Sequence, residues 1–371
     1  MLSTSSYCPC MPLRHERLGD ADPDTLRSNV VDSLKRGELS VLPTETVYGL
    51  TALPSHTDAA ARAAAWKGRD QKQPFTWHVA DIEDVKKLGA KIPLPAVRLM
   101  ERYWPGPLTL ILPVDNGGKT GNDETIGVRM PANEFTRSVI RACGEPLWMT
   151  SVNATGEPPL TEPEAIAAAC TNDDVAYLVD DGASPIGVAS TIVRAIKAPL
   201  EVLREGILSR DEVLATAADL ILFVCTGNTC RSPLAEAMAR KLTGEAMGVA
   251  EELVLARGIR FASAGTATVP GMAASEGSRE AGAEIGLDLS AHISQPIDPN
   301  LWQRALSIYC LSDSHRRALL AEAPEAADKI QLLRPDGLDI ADPFGGDLKV
   351  YQRARDEMLA AVKARMGDWW P

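Results

Sequence analysis

The sequence predicts an α/β protein built as two domains, and three observations carry that reading. Its 371 residues exceed what one hydrophobic core comfortably organises. Runs rich in β-branched residues, bounded by Gly, Pro or Asp, alternate with helix-like runs along most of the chain. From Leu220 onward the alternation becomes a regular βαβα series, the pattern of a doubly wound parallel sheet.

Composition narrows the class. Hydrophobic residues make up 45% and charged residues 24%, ordinary for a globular chain, and no apolar run reaches the ~18 residues of a membrane helix. Net charge is −12, spread evenly: 21 Lys and Arg face 27 Asp and Glu up to Ile207, and 17 face 23 beyond it. Neither half is a basic module, which argues against stable, direct nucleic-acid binding. Seven scattered cysteines do not make a disulfide framework, so a reducing, cytoplasmic setting is expected. Cys8 and Cys10 lack a second pair at ligand spacing, and no metal site made of protein side chains is expected. Residues 1–19 show no charged segment followed by an apolar core and are expected to form a disordered tail rather than a signal peptide.

In the first half, "LSVLPTETVYGL", "FTWHVA", "LTLILPV", "TIGVRMP", "LWMTSV", "AYLVDD" and "ASTIVRAI" read as strands. "HTDAAARAAAWKG" and "TEPEAIAAACT" read as helices, with Thr or Asp near their starts. The polar stretch 204–219 follows the last strand. The domain join is placed there, giving domains at 20–207 and 219–367 with 208–218 as linker.

The second half opens on a strand, a tight loop "CTGNTC" and a helix "SPLAEAMARKL" with Pro233 in its first turn. That geometry aims backbone N–H groups at an anion. Cys225 ends the strand, and Arg231 follows at the spacing C-x5-R. A cysteine facing a helix N-terminus and a guanidinium favours its thiolate and is nucleophilic. Arg231 suits two phosphoryl oxygens in a bidentate fork. Gly227 and Asn228 tolerate the positive φ needed to turn amides inward, Thr226 and Cys230 complete the loop, and Ser232 can donate to the thiolate. A cysteine phosphatase also needs an acid for its leaving group, and "IADPFGG" places Asp342 on a loop before the last helix.

The pairing of "CTGNTCRS" with "DPFGG", together with "SAGT" at Ser263 and "LSDSH" at His315, resembles the low-molecular-weight protein phosphatases over about 219–367. The resemblance implies a phosphocysteine on Cys225, oxygens held by Arg231, a thiolate tuned by Ser232, and Asp342 acting as acid and then base, with no cofactor. Arsenate reductases share this loop, but Arg317 stands where their second relay cysteine is expected after Cys310. Cys230 is read either as packing or as a reversible disulfide partner of Cys225. Tyrosine-directed members usually carry a bulky aliphatic where Thr229 stands. The resemblance to protein-arginine phosphatases in "CTGNTCRS", "DPFGG" and the aromatic-free "TATVPGMAAS" favours phosphoarginine over phosphotyrosine. Phe344 is placed to cover the substrate stem.

In the first half, "LPTETVYGL", "KGRDQKQPFTWHV", "GVRMP", "TSVNATGEPPLT" and "ASTIV" occur in an order that resembles the YrdC-like threonylcarbamoyl-AMP synthases over about 20–207. This implies a twisted mixed sheet and condensation of L-threonine, bicarbonate and ATP, the latter with Mg²⁺, into threonylcarbamoyl-AMP and pyrophosphate. The product would pass to a separate tRNA-modifying transferase. Lys67 and Arg69 suit a triphosphate, joined on ATP by Asn153, Ser190 and Arg204. Thr44, His78, Arg129, Ser151 and Thr191 are expected around threonine. The reading from another class is an inactive nucleotide- or RNA-binding module; pyrophosphate release that depends on threonine and bicarbonate separates the two.

Overall fold

The computed structural model describes residues 12–68, 74–115, 124–170, 175–197 and 199–370. Two units divide the chain between Ala217 and Ala218.

In the first unit, ten described strands form one sheet: β1 (Arg14–Arg17), β2 (Leu39–Leu42), β3 (Gly49–Ala52), β4 (Thr76–His78), β5 (Leu108–Pro113), β6 (Thr125–Arg129), β7 (Leu147–Ser151), β8 (Val175–Asp180), β9 (Thr191–Arg194) and β10 (Glu201–Arg204). Their order is β1-β8-β2-β3-β7-β4-β6-β5-β9-β10. The sheet is mixed: β2 runs parallel to β8 and β4 to β6, whereas β3–β7 and β5–β6 are antiparallel. Helices α1 (Pro23–Lys35), α2 (Thr57–Trp66), α3 (Ile82–Lys87), α4 (Leu94–Tyr103), α5 (Glu134–Cys143), α6 (Pro163–Ala169) and α7 (Arg210–Ala217) complete it. Asp22 caps α1 and Asn133 caps α5 by accepting from the amide three residues on. α5 ends on Gly144 at φ 80°, a left-handed position that suits glycine.

Three sequence expectations change. "LSVLPTETVYGL" is not one strand: after β2 the chain turns over 43–48 and returns as β3, because Pro43 has no N–H for a ladder. The tail expected over 1–19 is partly ordered. β1 pairs in parallel with β8 from Arg14↔Tyr177 to Arg17↔Asp180, a pairing that the charged "RHER" did not advertise. Residues 1–11, with Cys8 and Cys10, lie outside the described residues. The linker expected over 208–218 is largely helix α7. Val213 and Ala217 are buried in the core with α4, and Arg98 donates to the Ala217 carbonyl at 2.9 Å. The stretch looks polar because Arg210, Asp211 and Glu212 open it, whereas Val213, Leu214, Thr216 and Ala217 behind them are buried.

The second unit has a four-stranded parallel sheet, β12-β11-β13-β14, of β11 (Asp219–Cys225), β12 (Ile259–Gly265), β13 (Ala305–Cys310) and β14 (Ile330–Leu332). Helices α8 (Arg231–Met247), α9 (Glu276–Ala283), α10 (Pro299–Arg304), α11 (Asp313–Glu322) and α12 (Leu348–Arg365) accompany it. β11 is central and buried almost throughout, as its continuous apolar run requires. Leu234 and Met238 of α8 pack with Phe223 of β11 and Met358 of α12 in one core. The loop after β11 therefore leaves the sheet at the carboxyl end of a central strand, where open α/β sheets hold ligands. No described helix is long and apolar enough to cross a membrane.

Candidate functional sites

The first unit holds a cavity of about 350 Å³ where the 43–48 turn meets the ends of β4, β6, β7 and β9. The carboxyl end of α2 delivers Lys67. Its Nζ donates to the Ser151 carbonyl at 2.8 Å, Ser151 Oγ at 2.9 Å and Asn153 Oδ1 at 2.8 Å. Asn153 cannot flip, because its Nδ2 donates to the carbonyls of Ala154 and Glu157. Parallel pairing of β4 and β6 sets His78 beside Arg129. Burial first, and Arg129 second, push the His78 imidazole down to about 3, so it is neutral. Its Nδ1 lies 3.2 Å from the Thr76 carbonyl and must carry the proton there, which leaves Nε2 as an acceptor. Arg129 is buried and paired with Glu45 at 2.6 Å. Arg204 donates through Nε and Nη2 to the Ser190 carbonyl, and burial followed by Arg129 lowers its affinity for its proton.

The cavity thus gathers Thr44, Lys67, His78, Arg129, Ser151, Asn153, Ser190 and Arg204 from segments far apart in sequence. Thr44 is held by its own turn, donating to the Val47 carbonyl at 2.6 Å. Arg69 lies outside the described residues. Thr191, expected around threonine, does not line the cavity. Its hydroxyl donates to the Leu208 carbonyl and accepts from Gly206 and Leu208 N–H, fixing the turn before α7. The alternation of β9 sends Ser190 and Thr191 to opposite faces. Two participants escaped the sequence reading. Glu45 was visible within "LPTETVYGL" but not singled out. Thr109, whose hydroxyl lies 2.8 Å from Ser190 Oγ, sits in an ordinary apolar strand with no signal.

In the second unit Cys225 ends β11 and Arg231 begins α8, so the intervening loop wraps the helix N-terminus. Among the described residues, none of the backbone N–H groups from Thr226 to Cys230 donates to a protein acceptor. The loop's carbonyls are spent instead: those of Cys225 and Thr226 accept from Thr266 and Ala267 N–H, and that of Gly227 from Thr268 Oγ1. The donors are left for a ligand.

Asn228 takes φ 53° and organises this turn. Its Nδ2 donates at 2.9 Å to both Ser232 Oγ and Ser263 Oγ, its Oδ1 accepts from Gln295 N–H, and its carbonyl accepts from His292. Ser232 Oγ accepts from Asn228 and lies 3.0 Å from Cys225 Sγ, with the Ala264 carbonyl at 3.5 Å as a second acceptor for its proton. Arg231 is buried; Nη1 donates to the Ile340 carbonyl and Nη2 to Asp342 Oδ2 at 2.6 Å, while the buried Nε has no partner among the described residues. His315, at the start of α11, touches Thr226 Oγ1 through Nε2 at 2.8 Å. Burial, then Arg231, push it down to about 4.

Cys230 turns away from the anion cradle, with its sulfur 3.3 Å from Ser275 Oγ and 3.9 Å from Tyr351 Oη. Thr229 is half-buried, its hydroxyl 3.7 Å from Cys230 Sγ. Phe344 is exposed on the acid loop. Ser263 and His315 were visible only within short motifs, and His292 and Gln295 gave no sequence signal. Among the described residues, no three His, Cys, Asp or Glu side chains gather as a metal site.

A family model described as "Telomere recombination" (Sua5, YciO, YrdC) matches residues 32–206, and one described as "Low molecular weight phosphotyrosine protein phosphatase" matches 220–367. A threonylcarbamoyl-AMP synthase of Bacillus subtilis is 34% identical, covering 54% of this chain and 58% of its own. The chain thus spans under two thirds of the length of that relative. A protein-arginine-phosphatase of Geobacillus stearothermophilus is 36% identical, covering 38% of this chain and 90% of its own. Among solved structures, a doubly substituted P. abyssi Sua5 superposes with TM-score 0.51 at 28% identity, covering 58% of this chain and 71% of that one.

Proposed function

Because the chain belongs to the threonylcarbamoyl-AMP synthase family in its first unit and to the low-molecular-weight protein phosphatase family in its second, we propose that it is a bifunctional enzyme carrying both activities. The first unit would condense L-threonine, bicarbonate and ATP to threonylcarbamoyl-AMP and pyrophosphate. The observation that carries this is a cavity whose lining holds Lys67, Arg129 and Arg204, with Arg129 paired to the carboxylate of Glu45 behind it. Such a site favours a triphosphate and the departing pyrophosphate. Lys67, Asn153, Ser190 and Arg204, with Arg69, take the nucleotide in this reading. Thr44, His78, Arg129 and Ser151 take the amino acid, with His78 Nε2 accepting a hydrogen bond. Mg²⁺ accompanies the ATP as part of the substrate. Purified chain should release pyrophosphate only when threonine and bicarbonate are both present; release without them, or none, refutes the reading. The product then passes to a tRNA-modifying transferase in the cytoplasm.

The second unit would hydrolyse a phosphorylated side chain of a protein. What supports it is the set of unspent loop donors and the unpartnered Arg231 Nε around Cys225. The Cys225 thiolate attacks phosphorus and forms an S–P bond. The bond to the leaving group breaks as Asp342 supplies its proton. Water then attacks the phosphocysteine, Asp342 takes a proton from it, and inorganic phosphate and the thiolate are released. The substrate favoured is phosphoarginine, since the Thr229 hydroxyl orients a polar guanidinium where an aliphatic side chain would line a ring slot. Comparing kcat/KM on phosphoarginine and phosphotyrosine peptides decides it: a preference for phosphotyrosine that Thr229→Ile leaves unchanged overturns the arginine reading.

A further inference from the structure

We propose that the first turn of α11 is a strut that sets the acid loop against the loop after Cys225, with His315 and Asp339 as its positioning residues. The strut fixes how far Asp342 stands from a leaving group on the phosphoryl carried to Cys225. This deepens the phosphatase reading above and rests on it.

Ser312 occupies the N-cap of α11, where a serine hydroxyl ordinarily accepts from an amide of the first turn. Here it makes no such bond: its Oγ lies 2.8 Å from His315 Nδ1 and 2.8 Å from Ser314 Oγ. The Asp313 amide is satisfied from outside the helix instead, donating at 2.7 Å to Asp339 Oδ1 on the acid loop. A helix amide that its own cap leaves open needs another acceptor, and that need ties the acid loop to α11.

The serine hydroxyl is diverted because it holds His315. That imidazole is buried and, with burial and Arg231 pushing it down to about 4, neutral at ordinary pH. A neutral imidazole has one N–H and one lone pair, enough for two directed bonds. With Ser312 on Nδ1, Nε2 meets Thr226 Oγ1 at 2.8 Å, on the residue next to Cys225. Backbone bonds run along the same line. Leu311 N–H donates to the Val224 carbonyl at 2.9 Å, and the Leu311 carbonyl accepts from Ile340 N–H at 2.9 Å. The Ile340 carbonyl in turn accepts from Arg231 Nη1. Residues 311–315 therefore hold Val224 and Thr226, on either side of Cys225, and also Asp339 and Ile340, just before Asp342. A general acid acts only within hydrogen-bond reach of the leaving atom, and a misplacement of about 1 Å can cost about a hundredfold.

The test uses the full chain and two kinds of substrate. The leaving group of p-nitrophenyl phosphate departs as a stable anion and needs little from an acid. Those of phosphoarginine and phosphotyrosine depart protonated, and whichever of the two the wild type hydrolyses is the acid-dependent substrate. Asp339 is exposed, so Asp339→Ala removes the acceptor without opening the core. It should lower kcat/KM about tenfold or more on the acid-dependent substrate and by less than about threefold on p-nitrophenyl phosphate. Asp339→Asn keeps an acceptor oxygen and should restore the wild-type ratio of the two. His315→Ala cuts the other end of the same strut, so Asp339→Ala combined with His315→Ala should lose little beyond the larger single loss. Equal losses on both substrates, no loss on either, an Asp339→Asn variant as impaired as Asp339→Ala, or additive losses in the double variant overturn the proposal and leave the phosphatase reading standing. A wild type that hydrolyses neither phosphoamino acid overturns the phosphatase reading and the strut's role with it.

Discussion

Arg231 Nη2 lies 2.6 Å from Asp342 Oδ2, so the group that would bind phosphate and the group that would protonate the leaving atom are in direct contact. The carboxylate holds one edge of the guanidinium while the buried Nε remains unspent. An arriving phosphoryl group has an oriented donor to meet, and Asp342 already stands beside it.

Asp342→Asn is expected to slow phosphatase turnover by about a hundredfold to ten-thousandfold, the usual share of a general acid. The hydrogen bond to Arg231 survives in the amide, so binding should change little. The same substitution removes the base for the second step, so phosphocysteine should accumulate. Mass spectrometry after rapid quench should place phosphate on Cys225. Phosphate on another residue, or full activity in Cys225→Ser, contradicts the assignment.

Asn228 tests the loop's architecture separately from its chemistry. Asn228→Ala meets left-handed strain of about 1 kcal/mol and leaves buried Ser232 and Ser263 short of a donor, each costing about 1 kcal/mol. Asn228→Gly relieves the strain and keeps the hydrogen-bond loss. In both, Ser232 loses the donor that holds its hydroxyl beside the sulfur, so kcat/KM should fall. Unchanged kcat/KM would mean that Ser232 is oriented without Asn228.

How much of this was legible follows from where each signal sits. That Cys225, Arg231 and Asp342 would come together was legible because a loop proposed to cradle an anion needs those residue types at fixed spacing. Lys67, Ser151 and Asn153 were readable as motif members, but their mutual hydrogen bonds depend on α2 meeting β7, which no local pattern encodes. Thr191 misled because adjacent strand residues point to opposite faces, and the phase of β9 is set by pairing with β5. Glu45 and Gln295 act only through a tertiary partner. β1 and α7 were missed because a short charged strand and a short helix that opens on Arg210, Asp211 and Glu212 look like loops until their neighbours are present.

The place of α7 changes where the chain can be cut. A first fragment ending at residue 209 removes the buried Val213 and Ala217, and with them the bond from Arg98 and the Tyr103–Thr216 contact. Burying one valine is worth about 1.5–3 kcal/mol. The fragment 1–217 is expected to fold and to unfold in urea in one transition, and 1–209 to be several kcal/mol less stable or insoluble. Equal midpoints for the two would show that α7 adds nothing to the core. A fragment 218–371 is expected to keep phosphatase activity, since every residue placed in that mechanism lies within it.

His78 makes the first unit sensitive to acid. Its buried imidazole, further opposed by Arg129, protonates near 3 in the fold and near the ordinary ~6.5 when unfolded. A depressed base costs nothing above the unfolded value. As pH falls below ~6.5, the unfolded chain takes up a proton that the fold refuses, and stability is lost progressively down to about 3. Between pH 7 and 4.5 this group alone should remove about 2–3 kcal/mol. Urea unfolding of 1–217 and its His78→Gln variant at both pH values isolates the effect, because the carboxylates titrate alike in the two and cancel in the difference. The variant should lose less stability on acidification than the wild type. Threonine-dependent pyrophosphate release should show no His78 titration near 6.5, since the imidazole is already neutral there and its Nε2 stays an acceptor. An imidazole signal from His78 titrating near 6.5 by NMR, or identical acid sensitivity in the two proteins, would show that the side chain is solvated rather than buried against Arg129.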